Sequence, residues 1–411
     1  MKNLWCLTLT FCSFLFANAQ EQPFFNSLLA QGKAEFKKDF ETQDYQAAIN
    51  YLNDAIALDS NHAEAHYFLA YAYSRLNSKD GKSMIDMRLS STQKCSEALE
   101  KVIQLTPEYT GELVVLDPYS KLTAEWGSQA MSYWHNNKKD SAIWAFNEGK
   151  RRGGFGEYFL SISRSILNDC DTNAILISSG DNFTIPLWYL QIVEEIRTDV
   201  SVVDISLLNT LWYPHFLATD SLVQFDLPLS TLDSLEYAPW EDSLILIDDF
   251  EWMVNPTFNN AYLLRGDLIF LSLLKANAFE RALYFTTAFP EQSKLSLSPY
   301  LQNHILSDAL VPQHNKTDEY YPFLFSNGIN YFQKAVVVTE HLNPNSTDEK
   351  RFLDYIRLQG LRLTENSIEE NQIPNAYAFM LILNEYANPS EYPYQEEQIE
   401  AFHQHLKTQL K

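Results

Sequence analysis

Small and apolar residues recur at helical spacing in the first part of the chain. The positions Ala48, Leu52 and Ala55 fall on one face of a helix. A second helix follows a polar turn and starts at Ala63. The pattern predicts an antiparallel pair of helices over residues 44–73, with small residues where the two helices approach each other.

This pair of helices resembles one unit of the tetratricopeptide repeat. Weaker copies follow, and their small anchoring residues are Ala48, Cys95 and Ala142, which lie 47 residues apart in both steps. The usual period of that repeat is about 34 residues. We therefore expect insertions near residues 77–91 and 108–121.

The resemblance implies a stack of repeats over residues 20–156, with a concave face that binds peptides or other proteins. About three units are the minimum for a stack that supports itself, and the chain has about three. The alternative is that these units cap the domain that follows. Neither the pattern nor the period decides between the two interpretations.

The pattern changes to an alternation of strands and helices at about residue 165. The first two strands are separated by a polar turn and a helix that ends near Arg197, and this order predicts parallel strands. The predicted strands are short apolar runs, at 174–178, 200–206, 243–248 and 282–287. We expect a small, mainly parallel, Rossmann-like α/β domain over residues 165–312.

Helical periodicity returns in the last part of the chain, over residues 313–411. The predicted helices are separated by Asn-Pro pairs at 343–344 and 388–389, which are typical of turns. The fold class is therefore α + α/β: helical hairpin repeats, then a small sheet domain, then a C-terminal helical layer.

Residues 1–19 have the features of a secretory signal peptide. A positive charge is followed by a short apolar stretch at 4–16, and the small residues Ala17 and Ala19 predict cleavage before Gln20. The apolar stretch is shorter than the roughly 18–20 residues that span a bilayer. We expect a periplasmic or secreted protein with no transmembrane segment after cleavage.

Acidic residues exceed basic residues, 53 against 30, which gives a net charge of −23. Such a surface repels phosphate backbones and makes nucleic acid an improbable partner. After cleavage the chain keeps Cys95 and Cys170, which could pair or remain as buried free thiols. We favour free thiols because Cys95 takes a small, buried helical position. No phosphate-binding glycine loop is present, and we expect no cofactor.

The residues from Gly180 to Gln191 and from Asp199 to Tyr213 give a more specific resemblance. They are similar to the soluble C-terminal region of bacterial membrane proteins that are classed with protein O-mannosyltransferases. The similarity spans roughly residues 170–312. The family usually has an acidic residue where this chain has Phe183. The resemblance implies that sugar transfer belongs to a membrane part that this chain lacks.

Ligands of parallel α/β sheets bind beyond the carboxyl ends of the strands, where the polar turn after the first predicted strand lies. The candidate ligand-binding residues are Gly180, Asp181, Asn182, Thr184, Trp188, Asp204 and Asp248. The three aspartates could converge at one sheet edge, and Trp188 could stack on a sugar. The alternative is that Asp181 and Asn182 only satisfy amides of the turn. We assign no catalytic residue and no metal ligand.

These observations favour an exported, non-catalytic protein that binds a protein partner in the cell envelope through its repeats. A glycan is a further expected partner. The alternative is a carbohydrate-active enzyme or a glycan-binding protein that uses the pocket at Gly180, Asp181 and Asn182.

Overall fold

The structure is a computed structural model that describes residues 22–312 and 316–411, without the side chains of residues 316–326. The predicted signal peptide at 1–19 and its cleavage site lie outside the described residues. No helix among the described residues is long and apolar enough to cross a bilayer.

The N-terminal part is a stack of helices joined as antiparallel pairs. Its helices are 22–34 (α1), Tyr45–Leu58 (α2), Ala63–Asn77 (α3), Leu89–Leu105 (α4), Pro118–His135 (α5), Lys139–Arg151 (α6) and Glu157–Asp169 (α7). The two longest connections, 78–88 and 106–117, fall where the repeat spacing predicts insertions. The anchors Ala48, Cys95 and Ala142 are fully buried. Their small side chains allow neighbouring helices to approach closely.

Side chains at the helix ends explain where several helices begin. Asp44 accepts a hydrogen bond from the Ala47 amide at the start of α2. Asp117 does the same for the Ser120 amide at the start of α5, but Asp117 is buried. Each carboxylate satisfies an amide that has no partner within its own helix.

A five-stranded sheet follows the stack, together with two small ribbons. The strands are Ile175–Ser178 (β1), Ser201–Asp204 (β2), Ala238–Pro239 (β3), Ser243–Ile247 (β4), Phe250–Val254 (β5), Tyr262–Leu263 (β6), Leu283–Thr286 (β7), Leu301–Asn303 (β8) and Ser307–Leu310 (β9). The order in the large sheet is β2-β1-β7-β9-β8. The first three strands are parallel, with Ile175 opposite both Ser201 and Leu283. β9 and β8 add an antiparallel edge.

The prediction of the sheet from the sequence is confirmed for three strands and wrong for one. The predicted strand at 282–287 is β7 of the large sheet. The predicted strand at 243–248 instead forms a separate antiparallel hairpin with β5. Its apolar run is not uniformly buried, because Leu244 and Leu246 face solvent. Asp248 therefore lies in the hairpin turn and not at an edge of the parallel sheet.

Eight further α-helices follow β1 in the described part of the chain. They are Asp181–Ile192 (α8), Trp212–Thr219 (α9), Leu229–Ser234 (α10), Arg265–Asn277 (α11), Lys316–Val337 (α12), Thr347–Glu369 (α13), Ile373–Tyr386 (α14) and Glu397–Gln409 (α15). The last four form the predicted C-terminal helical layer. Phe352 on α13 contacts the rings of Tyr158 and Phe159 on α7, which joins this layer to the stack.

One arginine fastens the amino ends of the first two strands. The guanidinium of Arg281 donates four hydrogen bonds, to the carbonyls of Asn173, Ala174 and Leu222 and to the hydroxyl of Ser201. Hydrogen bonds from a charged donor are stronger than those between neutral groups. Arg281 therefore fixes the amino ends of β1 and β2, while the carboxyl end of β1 leads to Gly180.

The two cysteines of the described residues, Cys95 and Cys170, are buried free thiols. Cys95 lies inside the helical stack, and Cys170 follows α7. Burial raises the pKa of both thiols well above the ordinary value, so they stay protonated at neutral pH. The expectation of two buried thiols is confirmed.

Candidate functional site

The turn after β1 depends on the glycine at its centre. Gly180 has a φ angle of +86°, a conformation that other residues rarely adopt. Its carbonyl accepts hydrogen bonds from the amides of Phe183 and Thr184, which start α8. A Cβ atom at Gly180 would meet nothing within 4 Å, so the turn faces open space.

Helix α8 packs directly against the helical stack. A Cβ atom at Gly127 of α5 would lie only 2.1 Å from a methyl carbon of Ile185 on α8. The ring of Tyr189 on α8 also contacts Phe146 and Phe155, with centroid distances of 5.9 and 4.9 Å. The stack therefore covers α8, and the first residue of α8 lines a cleft together with residues of the stack.

A cleft of about 180 Å³ lies where the stack meets the N-terminus of α8. Its walls come from α3, α5, the two long connections and the first residue of α8. The charged and aromatic residues of its lining are Tyr71, Arg75, Lys79, Asp80, Lys121, Glu125 and Asp181. Residues on both sides of the domain junction thus form one site.

The carboxylate of Asp181 opens into this cleft and is exposed. Among the described residues it has no hydrogen-bond partner and no ion pair within 4.0 Å. The surrounding protein raises the pKa of Asp181 above the ordinary value, although the side chain reaches solvent through the cleft. The positive charges of Lys121 and Arg75 lower the pKa of Asp181, against this effect. Asp181 is therefore an acceptor that is available to a ligand.

Arg75 is the complementary group on the α3 wall. Its Nη1 donates to the carbonyl of Lys79 at 3.2 Å. In the part of the chain that the structure describes, no carboxylate lies within 4.0 Å of its guanidinium. Lys121, in contrast, is paired with Glu125 at 3.3 Å, and Glu125 also accepts from Thr92. Two further charged residues line the cleft: Lys79, which donates to the carbonyl of Phe40, and Asp80, which accepts from the hydroxyl of Ser83. Arg75 and Asp181 are a cation and an anion of the same cleft that form no ion pair with each other.

Thr184 and Asp204 lie beneath this cleft and not in its lining. Both are buried, and the Thr184 hydroxyl donates to Asp204 Oδ2 at 2.6 Å. Asp204 Oδ1 accepts from the amides of Ser206 and Leu207. Burial raises the pKa of Asp204 to about 6, against the hydrogen bond from Thr184. Both oxygens of Asp204 therefore join α8, β2 and the turn after β2.

The other predicted site residues are distributed over three places. Asn182 is half-buried in the first turn of α8. Trp188 is buried and lines a separate apolar cavity of about 200 Å³ with Trp134 and Phe216. Asp248 lines a third cavity beside the hairpin turn. Of the predicted site residues, only Asp181 lines the cleft; Gly180 precedes it in the turn, and Trp188 and Asp248 line other cavities.

Sequence patterns do not identify Arg75 or Lys121 as site residues. Each occupies the polar face of a helix and belongs to no motif, so nothing distinguishes it from a solvated surface cation. Within residues 22–312 and 316–411, no three His, Cys, Asp or Glu side chains are arranged to hold a metal ion.

The fold defines a class of protein in which a helical stack is joined to a mixed α/β sheet and a C-terminal helical layer. Over part of its length the chain is similar to the family described as TMEM260-associated domain 2, at residues 160–221 and 233–328. No curated protein matches the chain. The similarity covers α7, the sheet and the Asp181 side of the cleft, but not the Arg75 side.

Proposed function

We propose that the protein is an exported, non-catalytic binding protein that holds a segment of a protein partner in the cleft between the helical stack and α8. The signal peptide at 1–19, a periplasmic or secreted location and the tetratricopeptide character of the repeats are parts of this proposal. The relation to protein O-mannosyltransferase-like membrane proteins is a further part. It would place the partner in the cell envelope.

The observation that supports the proposal most directly is the pair of unmatched charges in the cleft. Arg75 and Asp181 line the same cleft, and in the described structure neither forms an ion pair. A charged side chain that lines a cleft without an ion-pair partner can bind a ligand group of opposite charge through a charge-assisted hydrogen bond. A peptide segment with both an acidic and a basic group is complementary to this pair.

The size of the cleft limits what enters it. Its volume of about 180 Å³ is below the range of roughly 300–1,000 Å³ that is typical of small-molecule sites. The cleft therefore accommodates one or two side chains and not a whole folded domain. The rest of the partner would lie along the outer surface of the stack.

Photocrosslinking in the cells that make the protein tests this proposal. A photoreactive phenylalanine analogue replaces Ser78, which lines the cleft, in the full chain. The same analogue at Gln404, an exposed position on α15, is the control. We expect a discrete protein adduct from position 78 and none of the same mass from position 404.

Charge-neutralising variants connect the adduct to the cleft. Arg75→Gln and Asp181→Asn should each reduce the adduct by about tenfold or more, since a charged hydrogen bond contributes about 1.5–3 kcal/mol. Arg362→Gln, on the exposed face of α13, should leave it unchanged. Equal adducts from all variants, or no adduct from position 78, would contradict the proposal.

The same cleft supports a second candidate function, which is recognition or cleavage of a glycan. The raised pKa of Asp181 suits a carboxyl group that donates a proton, and Glu125 lines the same cleft. The carboxylate of Glu125 is, however, already engaged by Lys121 and Thr92. Binding therefore fits the geometry better than hydrolysis, which needs two available carboxyl groups.

A glycan array with the purified full chain, followed by product analysis, separates the two candidates. Retention of one class of glycan that is lost in Asp181→Asn would favour the glycan function. Release of reducing sugar that is lost in the same variant would favour an enzyme. The absence of both, with the protein adduct present, supports the leading proposal.

A further inference from the structure

The hairpin of β4 and β5 has two unlike faces. Ile247, Phe250, Trp252 and Val254 are buried against the domain. On the outer face, Leu244, Leu246 and Met253 are 57%, 64% and 46% exposed, and Leu244 lies directly opposite Met253. An exposed apolar strip on a ribbon of only two strands is uncommon unless something covers it.

The charges around this strip have one sign. Between Arg197 and Arg265 the chain has no lysine or arginine. The same stretch has eleven acidic residues: Asp199, Asp204, Asp220, Asp226, Asp233, Glu236, Glu241, Asp242, Asp248, Asp249 and Glu251. The last five are all exposed and flank the hairpin at its open end, at its turn and on its outer face.

We infer that the outer face of the hairpin is a second docking surface, for a cationic amphipathic segment of a partner protein. Apolar side chains of that segment would cover Leu244, Leu246 and Met253. Its lysines or arginines would meet Glu251 and the carboxylates at the two ends of the hairpin. This combination of an apolar centre and a charged rim is typical of specific protein interfaces.

The charge pattern also decides against two other occupants. A second copy of the chain would bring its own five hairpin carboxylates against these five, and like charges at close range oppose association. An anionic lipid surface would be repelled for the same reason. Only a partner of opposite charge satisfies both the strip and its rim.

The probe is a fluorescently labelled synthetic peptide in which lysine and leucine alternate. Its fluorescence anisotropy is measured as the full chain is added. We expect saturable binding that weakens as salt is raised, because the rim contributes through charge. Hydrogen exchange should slow at residues 243–254 in the presence of the probe. A matched peptide in which glutamate replaces lysine should not bind.

Paired variants locate the surface. Leu246→Ser should weaken binding by about fivefold, whereas Leu381→Ser should change it by less than about twofold. The two leucines are equally exposed, at 64% and 65%. Glu251→Lys should weaken binding by a similar factor, and Glu369→Lys, at the exposed end of α13, should not.

Glu251→Lys guards the test against misfolding, because it leaves the buried side chains of the hairpin unchanged. Binding that is undiminished in both hairpin variants would overturn the inference, as would the absence of saturable binding. A concentration-dependent dimer that Leu246→Ser abolishes would also overturn it, in favour of a second copy. None of these outcomes depends on the cleft at Asp181.

Discussion

Asp117 and Asp348 exchange hydrogen bonds across 231 residues of sequence. The Asp117 amide donates to Asp348 Oδ2 at 2.9 Å, and the Asp348 amide donates to Asp117 Oδ2 at 3.0 Å. The two residues stand at the N-termini of α5 and α13, where a helix favours negative charge. This reciprocal pair fastens the C-terminal helical layer to the helical stack.

Removal of the Asp117 carboxylate should destabilise the protein more than removal of an ordinary helix cap. Asp117→Ala loses the bonds from Ser120, Ser346 and Asp348 at a buried site. We expect a loss of about 2–4 kcal/mol in the free energy of unfolding, measured with urea. Asp44→Ala, the matched cap of α2, should cost only about 1 kcal/mol. Equal losses would show that the pair is no more than two local caps.

The stability of the protein should fall as pH rises, because of a neighbouring carboxyl group. Glu349 is buried, and burial raises its pKa from 4.5 to about 8. A folded-state pKa above the unfolded value means that the folded chain binds more protons in this range. The stabilisation is present below pH 4.5 and is lost as pH rises towards 8.

Glu349→Gln should remove much of this pH dependence, since an amide can accept the bond from the Asn343 amide without ionising. The parent loses unfolding free energy between about pH 5 and about pH 9, and this loss should be smaller in Glu349→Gln by about 2–4 kcal/mol. Glu369→Gln, at an exposed position, is the control. Parallel stability curves for the two variants and the parent would refute this assignment.

Arg357 and Asp354 form a buried ion pair within the C-terminal layer, at 2.9 Å. Arg357 also donates to the carbonyls of Ala387 and Tyr392, which follow α14. Arg357→Met should destabilise the protein by about 3–5 kcal/mol, because it leaves a buried carboxylate without its cation. The exposed Arg151 pairs with Glu148 at 2.6 Å, and Arg151→Met should leave the stability almost unchanged because solvent screens this pair. Thermal unfolding of both variants distinguishes the two cases.

Substitution by alanine should have different structural effects at Gly180 and at Gly127. Gly180→Ala meets no steric obstacle but strains a backbone with φ of +86°, at a cost of about 1–3 kcal/mol. Gly127→Ala places a methyl group against Ile185 and should push α5 away from α8. In Gly127→Ala, hydrogen exchange should accelerate throughout residues 181–192. In Gly180→Ala, it should accelerate only in the first turn of α8. The same exchange pattern in both variants would contradict this distinction.

Much of this fold could be predicted from residue patterns over short stretches of the sequence. The small anchors Ala48, Cys95 and Ala142 predicted helical packing, and they are fully buried. The order of strand, turn and helix around Gly180 predicted the parallel pair and the open edge. These features depend on residues that are close in sequence, where propensity and periodicity apply.

The features that the sequence did not predict depend on contacts between distant segments. An apolar run such as 243–248 looks the same in a buried strand and in a hairpin that is exposed on one side. The cleft brings Arg75 next to Asp181, which lies 106 positions later in the chain. Neither residue type nor spacing signals such a meeting, because it depends on how the stack packs against α8.

The arginine that fastens the start of β1 has a consequence for substitutions around the cleft. Arg281 holds the amino ends of β1 and β2 through three of its four hydrogen bonds, while Gly180 and Asp181 stand beyond the opposite end of β1. The hydrogen bonds of Arg281 and the proposed recognition site therefore lie at different ends of the same strand. A substitution around the cleft would therefore leave in place the hydrogen bonds by which Arg281 holds the start of β1.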